Sequence, residues 1–212
     1  AHPRHGRLRT GGRSGGGGLS AQIWWYVARA SGIVGWLLLT ASVLWGILIP
    51  AKLSTRQRPA WMLDLHRWLA GLTIGFVAIH LGALVADSYV DFGLVDLAVP
   101  FASAWKPLPV ALGVLATWLL VIVQATSMAM RRLPRRIWRR IHLASYAAFF
   151  LTSLHGTLAG TDSSALLYQV TSLGALGAVI FSTLFRIITR RTRVVRPAPA
   201  EASNRLVVVD RG

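Results

Sequence analysis

Six histidines are present, and four of them, His66, His80, His142 and His155, fall inside long apolar stretches. An imidazole out of water needs a partner, and an ionisable side chain inside a membrane span is a functional-site candidate by default. The spacing gives the four a pattern. His80 follows His66 by 14 positions and His155 follows His142 by 13, displacements of about 21 and about 19.5 Å along a helix. Two helices running in the same direction would set His66 level with His142 and His80 level with His155. Neutral imidazoles facing each other in pairs suit an iron that takes one nitrogen on each face, so two stacked b-type haems are the expected occupants of the two levels. Zinc suits the pattern less well, because it wants four ligands around one point and each level offers two. A proton path would want carboxylates along the spans, which have essentially none.

The elements that must position these residues are visible in the composition. The chain is 54% apolar with only seven acidic residues in 212. Its apolar residues form blocks of membrane-spanning length at about 24–49, 68–86, 107–130, 141–160 and 165–185. The expected fold is an all-α integral membrane protein, a bundle of about five transmembrane helices. The histidines then lie on the second and fourth spans, which run parallel. Cysteine is absent, which excludes disulfides, thiolate chemistry and covalent haem attachment.

Thirteen positions do not close a whole number of turns. His66 and His80 share a face to within about 40°, but His142 and His155 stand about 140° apart on an ideal helix. Span four must therefore be distorted, supercoiled, or seated so that the two ligands meet it from different sides. Gly32, Gly35, Gly71, Gly75 and Gly82 suit either a ring lying close to backbone or close helix packing. Arg29, the one charge in span one, and Arg67, beside His66, are candidate partners for haem propionates, Arg67 being equally suited to snorkelling. Trp24, Trp25, Trp61, Trp68, Trp105 and Trp138 lie near span ends, as interface anchors do.

The net charge is +16. Its arginines gather at span ends, above all Arg131, Arg132, Arg135, Arg136, Arg139 and Arg140 around Pro134, while Asp87, Asp91 and Asp96 mark the preceding connection. The basic ends of all crossings fall on one side, which is expected to be cytoplasmic, with the N-terminus outside and the C-terminus inside the cell membrane. Anionic lipids are the expected neighbours of that side, with no need of a nucleic acid. Residues 1–22, containing His2 and His5, read as a flexible, basic, Gly-rich arm, 23–190 as the haem-binding transmembrane domain, and 191–212 as a cytoplasmic tail.

LHRWLAGLTIGFVAIHLGALVAD and RRIHLASYAAFFLTSLHG resemble the ferric reductase-like transmembrane domain, the haem-bearing core of ferric reductases, NADPH oxidases and the membrane partner of bacterial methionine sulfoxide reductase. The resemblance covers about residues 24–188. It implies that the family's haem-ligating positions fall on His66 and His80 on one helix and on His142 and His155 on the other. It also implies electron flow from a cytoplasmic-side donor to an outer-side acceptor. Two departures stand out: the family core commonly has one more helix before these, and its oxidase and ferric reductase members carry a flavin and nicotinamide domain that has no counterpart here. The donor is then expected to be a separate protein, a quinol, or a flavin held at the membrane surface. Two rival expectations are a quinone-reactive cytochrome b subunit of a larger respiratory complex and a non-redox structural membrane subunit.

Overall fold

A computed structural model describes residues 16–51, 60–87 and 92–194. The elements are α1 (Gly16–Ala51), α2 (Trp61–Ala86), α3 (Leu94–Ala98), α4 (Pro107–Met128), α5 (Arg135–Ala159) and α6 (Leu166–Val194). Among the described residues there is no sheet. Four helices are long and apolar enough to cross a membrane, at Gln22–Ile49, Trp61–Ala86, Pro107–Met128 and Leu166–Thr189. The chain is thus an all-α, multi-pass membrane protein, with four such helices rather than five among the described residues. α5 falls outside the set because Arg135, Arg136, Arg139 and Arg140 occupy its first two turns and His142 and His155 interrupt its apolar remainder.

α1 begins at Gly16 rather than at residue 23, and α6 runs on to Val194. The rest of the expected arm and tail, and the basic connection KLSTRQRP, lie outside the described residues.

Two antiparallel hairpins make up most of the bundle: α1 packs most extensively on α2, and α4 on α5. α1 also touches α5 and α6, and α2 meets α4 more lightly. The central apolar cluster takes Leu39, Val43 and Ile47 from α1, Leu120 from α4, Ala148 and Phe149 from α5, and Val179 from α6. Ala148 and Phe149 are fully buried, and on α5 they lie between His142 and His155. Apolar filling therefore separates the two histidine levels. A smaller cluster of Phe92, Val110 and Val114 packs beneath α3, whose end is pinned to α4 by Trp118 Nε1 donating to the Ala98 carbonyl at 2.9 Å. The outward faces are apolar. Trp68, Phe181 and Leu173 are 71%, 70% and 69% exposed, a surface that lipid covers and water would not tolerate over so wide an area.

Candidate functional site

α2 and α5 carry the histidines; α1 and α4, each packed on a histidine helix, carry what holds them. At the Arg29 end of the bundle, His80 Nδ1 lies 2.7 Å from the Ala28 carbonyl oxygen and His155 Nδ1 lies 2.7 Å from that of Pro109. A carbonyl can only accept, so in each neutral ring Nδ1 carries the hydrogen and Nε2 keeps its lone pair. The approach needs room, and glycine supplies it one helical turn beyond each carbonyl. A Cβ on Gly32 would stand 3.1 Å from His80 Nδ1, and one on Gly113 would stand 2.8 Å from the His155 ring.

His80 and His155 line one cavity of about 340 Å³ between the hairpins. Its walls are mostly apolar, with Trp36, Val77, Val114 and Leu120 among them; Thr73, Thr117, Thr152, Thr161 and Tyr168 bring hydroxyls and Asp87 a carboxylate. Arg29 and Asp162 also line it, joined as an ion pair between α1 and the α5–α6 turn. The Arg29 guanidinium carbon stands 4.9 Å from the centre of the Trp25 ring, within cation–π range.

The Arg135 end is built differently. The rings of His66 and His142 meet edge to face with centroids 6.0 Å apart. Here hydroxyls replace carbonyls: Ser42 Oγ is 3.3 Å from His66 Nδ1 and Ser127 Oγ is 3.4 Å from His142 Nδ1. A hydroxyl can donate or accept, so these contacts leave the tautomer open. Gly46 makes the notch for His66, where a Cβ would lie 3.2 Å from the ring. Trp138 stacks on His142 at 5.1 Å.

The level pairing expected from spacing is the one found. α5 achieves it as one continuous α-helix from Arg135 to Ala159, without a π-bulge. At Gly71, Gly75 and Gly82 a Cβ would meet no protein atom within 4 Å, so close helix packing does not account for them. Arg67 pairs along its own helix with Asp64 at 3.4 Å, both exposed. Sequence reasoning missed Ser42, Gly46, Gly113 and Ser127, and treated Trp25, Trp105 and Trp138 as lipid anchors although Trp25 and Trp105 line the cavity and Trp138 covers a histidine. It also missed Asp162, whose signal was its position as the lone acid in the connection GTDSS.

Among the described residues, no group of three or more His, Cys, Asp or Glu side chains comes together that could hold a metal ion. The two-haem electron relay, haem as cofactor, and the metal-binding cytochrome b and oxidoreductase roles expected from the sequence are withdrawn on that finding. Arg29 and Arg67, expected beside propionates, have Asp162 and Asp64 as partners.

The family model described as the ferric reductase like transmembrane component matches residues 31–153 and takes in His66, His80 and His142. No curated protein and no solved structure gives a significant match. With more than half of its length matched, the chain belongs to the ferric reductase-like transmembrane component family.

Proposed function

We propose that this chain is a membrane-embedded subunit of a larger assembly and that it binds a quinol between its two hairpins. One observation carries the proposal: His80 and His155 border the same apolar cavity, each with Nδ1–H committed to a backbone carbonyl. Each Nε2 is then a hydrogen-bond acceptor in a water-poor space, suited to a flat apolar ligand with a hydroxyl at either end. The chain holds and orients the ligand, while electron transfer belongs to the partner. His66 and His142, in contact with each other, join the two hairpins towards the Arg135 end. In this reading residues 23–190 are the ligand-binding domain, with 1–22 and 191–212 flanking it.

α5 crosses the membrane as a fifth span, antiparallel to α4. The arginine cluster at 131–140 faces the cytoplasm, which puts the N-terminus outside and the C-terminus inside. The cluster meets anionic headgroups there, and the partner that takes electrons from the bound quinol docks at the Arg29 end.

The test is organic extraction of the detergent-purified protein, with the optical spectrum taken on the same sample. About one quinone per chain is expected, lost when His80→Ala and His155→Ala are combined. A folded protein without quinone, or a haem spectrum that His80→Ala abolishes, would overturn the proposal. A second reading, a non-redox structural subunit, is favoured by the fact that all four Nδ1 atoms have partners within their own hairpin. It predicts a folded protein with no extractable ligand.

A further inference from the structure

The cavity has a closure that the binding residues do not explain. Arg29 and Asp162 line it, yet their side chains remain 36% and 26% exposed, so the pair stands where the cavity meets the outside. They are 133 positions apart in the chain, and they join α1 to the turn that follows α5. That turn has its own fixed geometry. Gly160 caps α5 in an extended conformation, and a Cβ there would lie 2.3 Å from the Gly156 carbonyl oxygen, so only glycine lets the chain double back towards Arg29. Gly156 in turn leaves space for the Tyr168 hydroxyl, which a Cβ would approach to 3.0 Å.

We propose that the Arg29–Asp162 ion pair is a latch across the mouth of the His80–His155 cavity, and that a ligand enters from the membrane surface at this end when the pair opens. The pair joins the turn to α1 and is exposed enough to be opened, because a partly hydrated ion pair contributes little net free energy. Trp25 stacks on the guanidinium and keeps Arg29 at the mouth when Asp162 leaves. The inference rests on the cavity being a ligand site, as proposed above, but not on the ligand being a quinol.

The natural absence of cysteine makes access measurable in the full chain without any ligand. Thr152→Cys places a thiol on the cavity wall, and its alkylation by a water-soluble maleimide in proteoliposomes reports how often the mouth is open. Slow labelling is expected with the latch intact, at least fivefold faster labelling with Asp162→Asn or Arg29→Asp, and a return towards the slow rate when Arg29→Asp is combined with Asp162→Arg. Ala148→Cys, in the closed core, should stay unlabelled throughout. Unchanged rates at Thr152→Cys overturn the latch. Equal acceleration at Ala148→Cys overturns it too, since the pair would then hold the whole bundle rather than a mouth. Loss of quinone binding with the labelling pattern intact would sink the ligand assignment and leave the latch standing.

Discussion

The two ends of the bundle hold the same kind of side chain by different chemistry. At the Arg29 end each imidazole donates to a backbone carbonyl at 2.7 Å, and at the Arg135 end each sits beside a serine hydroxyl at 3.3 or 3.4 Å. A carbonyl cannot reverse its role, so the first end fixes which ring nitrogen is bare. A hydroxyl rotates, so the second end does not. The first end also encloses a cavity, whereas at the second the rings are in contact with each other. Rigid rings facing open space form a binding site; adjustable rings facing each other form a joint.

The comparison breaks most visibly at Gly113. Gly113→Leu puts a branched side chain where even a Cβ comes within 2.8 Å of His155. The expected cost is about 1–3 kcal/mol, read as a lower melting temperature in detergent, together with loss of extractable quinone. Unchanged values for both would mean that the notch does not seat His155. Gly46→Ala at the other end meets His66 at 3.2 Å, and should cost roughly 1 kcal/mol while leaving the quinone content intact.

Smaller effects sharpen the contrast. Ser42→Ala and Ser127→Ala should each destabilise by about 0.6 kcal/mol, the usual size of a side-chain hydrogen bond within a membrane protein. Nitrogen NMR of labelled histidines should then show His80 and His155 locked with the hydrogen on Nδ1 in both variants; a shift of those two signals would couple the ends and undo the distinction. Arg67→Ala, which breaks only the exposed pair with Asp64, should change stability by no more than about 0.5 kcal/mol. A larger loss would give Arg67 a role the geometry does not.

Much of this arrangement was legible in the chain. Helices at all five apolar blocks follow from hydropathy, with His66 and His80 on the second and His142 and His155 on the fourth, although that fourth helix is not among the four apolar enough to cross a membrane; the level pairing follows from a rise per residue that helices share. α3 did not show itself, because its five residues are too few to display a period. The anchors were illegible for a different reason. Whether Ser127 or Pro109 reaches a histidine depends on how α4 is rotated against α5, and no pattern along one helix encodes that angle. Gly32 and Gly46 lie 14 positions apart, the same interval as His66 and His80, so one half of the device was written in the sequence as a matched spacing between neighbouring helices. The haem expectation failed at the step from paired residues to a metal site, since among the described residues no group of three or more His, Cys, Asp or Glu side chains comes together, and spacing along two helices gives the depth of a side chain but not what surrounds it.

Each imidazole is anchored by the helix paired with its own: His80 to α1 within the first hairpin, His155 to α4 within the second. This has a consequence for how the protein is made. During membrane insertion a hairpin can set its ring orientations as soon as its two helices are side by side, before the other hairpin has emerged from the ribosome. The cavity comes into being only when the finished halves dock, with both walls already shaped. Co-expressed as two separate fragments cut between α2 and α4, the halves should therefore find each other and rebuild the chamber without a ligand to template it.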